Sequence, residues 1–358
     1  MALLWLNLII VFTFSLLARH FAKDELNRNP TYFPKPNKVF LFGALTSLVT
    51  ISGLRANIGD TYFYKHAYEK SDFTLELVFA EKDIGFGFLQ MFLQKFISED
   101  PQILIFVTAL ITNTLIVLVL YHYSRLIDIS LYVYITGGLF LVSMNGIRQV
   151  LAAAIAFVAI RYLVRGHFIK YALIIVIASL FHQSVLILIP FFFLVRFKAW
   201  SKLTVVLLTL SVVFVIGYEQ FSKLLFKAIE ETQYGHYRSF SEGGSNMIRS
   251  VVTAVPIIIA YLGRDKLREI MPNSDYIVNM SLIGLMFMLI STQNWIFARF
   301  SIYFELYQVI LISWIIKLFR EKDEKLIYFG MIICYFAYYF YESVINLNII
   351  YRSDFLVW

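Results

Sequence analysis

Runs of apolar residues, each close to the length of a membrane-crossing helix, alternate with short polar segments along almost the whole chain. A helix needs about 20 largely apolar residues to cross a hydrocarbon core of about 30 Å. Turn-forming pairs such as Asn145-Gly146 and Pro272-Asn273 fall between the runs. The pattern predicts an all-α, polytopic transmembrane helical bundle of about twelve spans, forming a single integral membrane domain over residues 1–358. The predicted spans are 2–18, 38–54, 102–121, 130–144, 147–164, 168–181, 183–197, 203–218, 248–262, 277–293, 300–318 and 326–342.

Two segments between the spans, 55–101 and 219–247, are long enough to form structure of their own and are predicted to be external. Each contains an amphipathic stretch, which indicates a helix lying in the membrane interface rather than crossing it. The apolar face in the first segment lies opposite Gln90 and Gln94, and its members are Phe88, Leu89, Phe92, Leu93 and Phe96. The apolar positions in the second are Phe221, Leu224, Leu225, Ala228 and Ile229.

The segment 168–197 fits either one long helix or two short helices broken near His182-Gln183. The loop charges favour two, because one helix would move all later basic loops to the opposite side of the membrane. Each short helix would rise only about 21 Å, which does not cross the hydrocarbon core. His182 would then lie below the outer surface, where a polar cavity or water must satisfy it.

Composition supports the membrane assignment, since 59% of the 358 residues are hydrophobic and 15% are charged. A soluble domain carries about 25% charged residues. The first apolar run, from Leu3 to Ala18, has no basic segment before it and no small-residue cleavage site. We therefore expect it to be a retained span rather than a signal peptide.

The charges also predict the orientation of the chain. One alternate set of loops holds 19 of the 31 basic and 9 of the 24 acidic residues, a balance of +10, against −3 for the other set. The positive-inside rule makes the first set cytoplasmic and places both termini outside. The formal charge of +7 is then mostly a matter of topology, so we expect membrane lipid, and no nucleic acid, among the partners.

Common cofactor and metal motifs do not occur in the sequence. Cys334 is the only cysteine and lies in a predicted helix, which excludes disulfides and a cysteine zinc site. Gly85-Phe86-Gly87 is too short for a nucleotide loop, and nothing resembles a Walker motif or a metal-ligand helix. We expect no metal and no cofactor.

Several polar residues near the predicted external helix ends are unusual for a membrane protein. Ionisable groups near hydrocarbon are costly and usually face a cavity or a partner, so a cluster on one side is a candidate functional site. The structural alternative for each is a side chain that snorkels to the interface. The residues are Arg55, Asp60, Arg148, Gln149, His182, Gln183, Gln293, Asn294, Arg299, Glu305 and Glu342.

Three arginines form a candidate anion site. Arg148 opens a predicted helix, where free backbone N–H groups and the helix dipole favour negative charge. Arg299 and Arg55 could add bidentate contacts to phosphate oxygens. A pyrophosphate leaving group would call for such a set, because it gains negative charge in the transition state. The alternative is that the arginines bind lipid head groups.

Four external residues are candidates for a general base, namely Asp60, Glu81, Asp83 and His182. Asp60 and His182 are favoured, because either could remove a proton from a sugar hydroxyl. Two structural alternatives stay open: Asp60 caps a helix beginning at Thr61, and His182 makes an interhelical hydrogen bond.

Five short motifs follow one another along the chain in a characteristic order. They are Gly53-Leu-Arg55 leading to Gly59-Asp60-Thr61-Tyr62, Glu81 with Gly85-Phe86, Asn145-Gly-Ile-Arg148-Gln149, Phe181-His182-Gln183-Ser184, and Ala298-Arg299-Phe-Ser-Ile-Tyr303. With these motifs the chain resembles, from about Phe40 to Tyr341, the EpsG family. These are Wzy-like membrane proteins of bacterial exopolysaccharide, capsule and O-antigen synthesis.

The resemblance implies a GT-C-like membrane fold and a polysaccharide polymerase, a glycosyltransferase of the bacterial cytoplasmic membrane with its active site facing outside. Such an enzyme transfers a growing glycan from one undecaprenyl pyrophosphate to the sugar of another lipid-linked repeat unit. A chain-length regulator and a flippase would fit as protein partners. The matching residues are expected to include the catalytic group from Asp60, His182 and Glu81, and the pyrophosphate and glycan contacts Arg55, Arg148, Gln149, Arg299, Tyr62 and Tyr303.

Two other classes of protein would use similar residues. A transporter or flippase of lipid-linked sugars also needs an arginine-lined cavity, but that cavity must be reachable from both sides. A membrane sugar O-acyltransferase would need access to an acyl donor. Short cytoplasmic loops and the external position of the unusual polar residues favour the polymerase.

Overall fold

The computed structural model describes residues 1–22, 33–218, 220–221 and 243–356, and these residues form helices and connecting loops without a β-strand. The chain divides into two compact units. The first comprises Met1–Pro190 and Ile312–Trp358, and the second comprises Phe191–Leu311. The prediction of an all-α protein is confirmed for the described residues.

The first unit contains the N-terminal helices and the last long helix. Asn37 caps α2 by accepting a hydrogen bond from the Val39 N–H at 2.9 Å, as expected for asparagine before a helix. Its helices are α1 Ala2–His20, α2 Lys38–Gly53, α3 Thr61–Lys70, α4 Leu75–Ala80, α5 Ile84–Phe96, α6 Gln102–Tyr123, α7 Ile127–Thr136, α8 Leu139–Asn145, α9 Ile147–Phe157, α10 Ile160–Arg165, α11 Phe168–Ser179 and α18 Glu321–Phe340, with a 3₁₀ turn Gln183–Ile187 and a π-helical turn Tyr341–Asn346.

In its described residues the second unit contains four complete helices, and two further helices, α12 and α17, run across its boundaries. Asn246 caps α14 through the Ile248 N–H at 3.0 Å. The helices are α12 Leu188–Leu194, α13 Lys202–Ile216, α14 Met247–Leu262, α15 Arg264–Ile270, α16 Ser274–Ser291 and α17 Ile296–Ile315. The 3₁₀ turn Ile316–Leu318 after α17 belongs to the first unit.

Several described helices have the length and composition of membrane spans. Five qualify by themselves, and seven qualify if each of two bent helix pairs is counted as one span. One of these pairs replaces the single span predicted at 130–144: α7 and α8 are bent by 53°. The break falls at Gly137-Gly138, where Gly138 has a φ of +95° that suits only glycine.

The segment 168–197 is two short helices, as the charges predicted. Helix α11 ends at Ser179, and the chain then reverses near His182. The Tyr171 hydroxyl, in the first turn of α11, donates to the Leu188 carbonyl at 3.1 Å. In one continuous helix those residues would lie about 25 Å apart, so the bond requires the chain to fold back.

Helix α5 is amphipathic, but the predicted division of its faces is wrong in part. Gln90 and Leu93 are both buried on the inner face, whereas Phe88, Phe92 and Phe96 are exposed. Polar side chains can face inward here because they find partners: Gln94 Nε2 donates to the backbone carbonyls of Tyr68 and Ser71. The amphipathic stretch predicted in 219–247 falls almost entirely outside the described residues.

Candidate active site

Arg55 anchors the loop that follows α2. Its side chain is buried, and its three nitrogens donate to Thr61 Oγ1 at 2.9 Å, to the Ser52 carbonyl and to the Met144 carbonyl at 2.8 Å. Burial lowers the pKa of Arg55 to about 9, a value that still leaves the guanidinium protonated at neutral pH. The structure therefore places this arginine inside the protein, holding the loop in position.

The next residues bring Asp60 against the end of α8. Gly59 has a φ of +53°, and a Cβ atom there would lie 2.1 Å from Asn145 Oδ1. The same Asn145 oxygen accepts a hydrogen bond from the Asp60 N–H at 3.1 Å. Asp60 occupies the N-cap position of α3, but its side chain makes no capping bond. The position that the capping hypothesis predicted is correct, while the capping bond itself does not form.

The C-terminal segment holds the same loop from the other side. Ala56 N–H donates to the Arg352 carbonyl at 2.8 Å, and Arg352 N–H donates to Asn57 Oδ1 at 2.7 Å. The Tyr351 hydroxyl donates to the Ile51 carbonyl at 2.8 Å, at the end of α2. Residues 350–353 thus form a C-terminal strap across the loop that carries Asp60.

Arg148, Asp83 and His182 form one cluster. Arg148 Nη1 donates to Asp83 Oδ2 at 3.0 Å, and His182 Nδ1 lies 3.4 Å from the same oxygen. The Arg148 guanidinium also lies 5.8 Å from the Tyr64 ring centre and 6.0 Å from that of Phe86. The Arg148 side chain is 40% exposed, whereas that of Asp83 is 5% exposed. Asp83 therefore orients an arginine that still faces open space.

One carboxylate oxygen of Asp83, Oδ1, is buried and has no described hydrogen-bond donor. A buried acceptor in this state costs about 1–3 kcal/mol, and such atoms are rare enough in folded proteins to need an explanation. A water or a ligand hydroxyl is the kind of donor that would satisfy it.

Backbone contacts fix Asp83 next to His182. The Gly85 N–H donates to the Leu180 carbonyl at 2.7 Å, and a Cβ at Gly85 would lie 2.8 Å from the Leu180 Cβ. Gln183 Nε2 donates to the Lys82 carbonyl at 3.3 Å. The reversal after α11 is thereby tied to the start of α5, and this joins two motifs that lie about 100 residues apart in the sequence.

A cavity of about 500 Å³ opens beside this cluster. Its charged and amide side chains are one arginine, two carboxylates and one glutamine, and aromatic residues form much of the remaining wall. A cavity of this size suits a ligand larger than a single ion. The lining residues are Asp60, Phe63, Tyr64, Ala67, Glu81, Phe86, Gln90 and Arg148.

The remaining predicted residues of the first unit lie in different surroundings. Glu81 ends α4 and lines the cavity. Gln149 is buried within α9. Tyr62 is 65% exposed, and its ring stacks on His66 with centroids 5.7 Å apart. The first unit therefore brings Asp60, Glu81 and Arg148 to one cavity, with His182 joined to Arg148 through Asp83.

Arg299 and Tyr303 belong to the second unit, both on α17. The Arg299 guanidinium lies 5.0 Å from the Trp295 ring centre, in a cation–π arrangement one helical turn away. Tyr303 is buried in its unit. These two residues remain predictions of substrate contact.

Two contributors to this site, Tyr64 and Gln90, are not among the candidates that the sequence indicates. Asp83 is among those candidates as a possible base, and in the structure it binds Arg148 and His182. Tyr64 and Gln90 line the cavity, and only the one-turn spacing from Asp60 to Tyr64 could have indicated the tyrosine. In the part of the chain that the structure describes, no three His, Cys, Asp or Glu side chains come close enough to share a metal ion.

Comparison with known proteins identifies a matching family. The family model described as the EpsG family matches residues 38–353, which include every residue of the site described above. No curated protein and no solved structure matches the chain. Because the match covers most of the chain, the protein belongs to the EpsG family, a family of Wzy-like polysaccharide polymerases.

Proposed function

We propose that this protein joins undecaprenyl-pyrophosphate-linked oligosaccharide repeat units at the outer face of a bacterial cytoplasmic membrane. The observation that carries the proposal is the cavity in which Arg148 lies with two carboxylates, Asp60 and Glu81. A cation for the leaving group and a base for the nucleophile are the two groups that glycosyl transfer from a pyrophosphate requires.

The reaction balances with these groups alone. A hydroxyl oxygen of the acceptor sugar forms a bond to the anomeric carbon of the donor glycan. The bond from that carbon to the pyrophosphate oxygen breaks, and undecaprenyl pyrophosphate leaves with the electron pair. The hydroxyl proton passes to a base, for which Asp60 is our first choice because its carboxylate lines the cavity and makes no capping bond. His182 and Glu81 are the alternatives.

Arg148 is the proposed contact for the pyrophosphate. Its planar guanidinium can donate two parallel hydrogen bonds to phosphate oxygens, and it keeps 40% exposure while bonded to Asp83. Arg55 contributes indirectly, because its nitrogens are bonded to protein oxygens that hold the Asp60 loop. Gln149, Tyr62, Arg299 and Tyr303 remain proposed substrate contacts that follow from the family motifs.

We also propose about twelve crossings in a GT-C-like arrangement, with both termini and the cavity outside. To the seven possible spans this adds α18 and the shorter apolar helices Lys38–Gly53, Phe168–Ser179, Gln183–Leu194 and Thr204–Ile216. Labelling of single cysteines from outside, in a Cys334→Ser background, tests the orientation. A cysteine at Asp60 should react, and one in the segment 263–270, which includes the short helix α15, should not.

The decisive experiment uses purified protein and undecaprenyl-pyrophosphate-linked repeat units in detergent. Detergent provides no second compartment, so flipping of the lipid cannot contribute to the signal. We expect polymer from the wild type. Asp60→Asn keeps the size of the side chain but cannot accept the proton at neutral pH, so the rate should fall by about 10²–10⁴-fold, equivalent to about 3–5 kcal/mol of barrier. Binding of the lipid-linked substrate should change far less.

Matched variants assign the base and the function class. Glu81→Gln and His182→Gln remove the two alternative bases, and a normal rate in Asp60→Asn with a large loss in one of them moves the role there. A wild type that binds the lipid-linked sugar but makes no polymer would favour the flippase. Transfer of an acyl group to the sugar under the same conditions would favour the O-acyltransferase.

A further inference from the structure

Tyr64 joins the hydrogen-bond network of Arg148 at the wall of the cavity. Arg148 Nε donates to the Tyr64 hydroxyl in a long hydrogen bond of 3.4 Å, while Nη1 of the same guanidinium donates to Asp83. The Tyr64 ring also packs edge-on against Phe86, with ring centres 6.0 Å apart. Helices α3 and α9 of the first unit thereby meet at this hydroxyl. Hydrogen bonds of this length in an empty site commonly shorten when a ligand binds.

The direction of this hydrogen bond determines what the tyrosine can do next. An arginine side chain carries only donors, so the phenol oxygen accepts from Arg148 and its own O–H remains a donor. Among the described residues nothing accepts a hydrogen bond from that O–H, and Tyr64 lines the cavity. Tyr68, one turn further along α3, differs, because its hydroxyl donates to the Ser98 carbonyl at 2.8 Å. Tyr64 therefore offers a hydrogen-bond donor to the cavity.

The charge of Arg148 makes this donor stronger. A hydroxyl that accepts a hydrogen bond from a cation gives its own proton more readily to a further acceptor, since the bonds of a chain polarise one another. Arg148 is itself held by the buried Asp83. Its Nη2 group also has no acceptor in the part of the chain that the structure describes. We name Arg148 and Tyr64 the donor side of the cavity.

The two carboxylates of the lining have the complementary chemistry. Asp60 and Glu81 only accept hydrogen bonds when they are ionised, and both line the cavity with Tyr64. The Tyr64 N–H donates to the Asp60 carbonyl at 3.1 Å, so Asp60 and Tyr64 lie one helical turn apart on α3. A ligand that matches both groups carries an anionic oxygen and a hydroxyl close together, as a sugar phosphate does.

We propose that Tyr64 is a further substrate-binding residue, whose hydroxyl donates to an oxygen of the leaving pyrophosphate beside Arg148. This role rests on the proposed function, which places a pyrophosphate in the cavity. The hydroxyl keeps its proton, and the leaving oxygen departs with the electron pair of the anomeric carbon–oxygen bond. As that oxygen gains charge, the hydrogen bond from Tyr64 strengthens, so the contact contributes more in the transition state than in the bound substrate.

The first measurement is the binding of undecaprenyl pyrophosphate, the sugar-free product, to purified full-length protein in detergent. Tyr64→Phe removes only the hydroxyl and keeps the ring contacts with Arg148 and Phe86. Its affinity for this lipid should fall by about three- to tenfold, while its affinity for undecaprenol, which has no phosphate, should not change. Tyr68→Phe is the matched control on the same helix. It should bind both lipids as the wild type does, although it melts at a lower temperature because it loses the bond to Ser98.

The second measurement is the rate of polymerisation by the same proteins. We expect Tyr64→Phe to lower kcat by about 10–10²-fold, more than it weakens binding, because the leaving oxygen is most charged in the transition state. Tyr68→Phe should leave kcat unchanged. In a double variant with Arg148→Lys the two losses should be less than multiplicative, since both side chains act on one leaving group.

An unchanged affinity of Tyr64→Phe for undecaprenyl pyrophosphate would overturn the proposal, whatever the rate does. Equal losses in Tyr64→Phe and Tyr68→Phe would also overturn it, because the hydroxyl would then only stabilise α3. Fully multiplicative losses in the double variant would show that Tyr64 and Arg148 act on separate groups, with the same consequence. The binding measurement needs no polymer. If the wild type makes none, weaker binding by Tyr64→Phe would still support the tyrosine contact while the polymerase is rejected.

Discussion

Two clusters of buried charge lie beyond opposite ends of α6, and they differ in one respect that matters. Near the end of α6, Asp128 is fully buried; Arg19 and the Tyr328 hydroxyl bind it. Near the start of α6, the buried Asp83 binds Arg148 and His182. Each cluster pairs one aspartate with one arginine and one further polar ring.

The two clusters differ in whether both oxygens of the aspartate have a hydrogen-bond donor. Both oxygens of Asp128 have donors, and the cluster ties α1, α7 and α18 together. Asp83 has one oxygen without a described donor, and its arginine faces a cavity of about 500 Å³. A buried ion pair by itself is therefore a poor sign of a functional site. The informative combination is an incomplete hydrogen-bond set next to open space.

The strongest way to test this comparison is to change the two arginines in parallel. Arg148→Lys keeps the charge but loses the planar fork, so polymerisation should fall by about 10²–10³-fold if Arg148 stabilises the leaving group. Arg19→Lys should leave the rate per folded molecule within about twofold, since lysine can still pair with Asp128. Rates are measured on purified samples of the wild type and both variants that are equally monodisperse.

Equal losses in both arginine variants would mean that the Arg148 change acts through folding. Full polymer from Arg148→Lys would remove the pyrophosphate role. Accumulation of single lipid-linked repeats in cells that carry Arg148→Lys would support that role independently of the purified assay.

The next largest effect is expected at Gly59. Its Cβ would collide with Asn145 at 2.1 Å, and moving Asn145 would break its bond to the Asp60 N–H. Because a displacement of about 1 Å in a reacting group can cost about 10²-fold in rate, Gly59→Ala should lose activity on that scale. Gly138→Ala is the matched control, with a positive φ but no atom within 4 Å of the added carbon.

Gly138→Ala carries only the backbone strain of about 1–2 kcal/mol, visible as a lower melting temperature in detergent with an unchanged rate. If Gly59→Ala behaves in the same way, the loop tolerates the shift. The activity then does not depend on the position that Gly59 and Asn145 give to Asp60.

A smaller effect separates the two aspartates. Asp83→Asn keeps a hydrogen-bond acceptor for Arg148 but removes the charge, which should lower the rate by about tenfold, or 1.4 kcal/mol. Asp128→Asn should leave the rate unchanged and lower the free energy of unfolding by about 1–3 kcal/mol. A parallel series of thermal melts and rates distinguishes them, and a rate loss confined to Asp128→Asn would reverse the assignment of the two clusters.

The sequence predicted the helices well because apolar runs and turn pairs are local signals. The helix expected at 38–54 is Lys38–Gly53, and that expected at 102–121 is Gln102–Tyr123. The reversal near His182 also followed from charge, since one long helix would have moved every later basic loop across the membrane. The hydrophobic pattern did not predict the bend at Gly137-Gly138, because that bend depends on one backbone angle.

The site was predicted less completely because its contacts join distant segments. Spacing could place Arg55 next to the membrane but could not show that its nitrogens are bonded inside the protein. Asp83 and His182 lie 99 positions apart, and nothing local links them. The division of the faces of α5 was wrong in part, since Leu93 is buried beside Gln90. Gln94 finds backbone carbonyls that no periodicity reveals.

The smallest expected effect concerns the C-terminal strap. Tyr351→Phe removes the hydrogen bond from a buried hydroxyl to the Ile51 carbonyl at 2.8 Å, which should cost about 0.5–1.5 kcal/mol of stability. Tyr132→Phe removes a bond of the same kind and length, to the Ile332 carbonyl, away from the site. Both variants should melt at similarly lowered temperatures. Only Tyr351→Phe should also slow polymerisation, by about two- to fivefold, because the strap holds the loop that carries Asp60. Equal rates in the two variants would show that the strap stabilises the fold without positioning the site. The residues that determine the rate would then be limited to those that line the cavity.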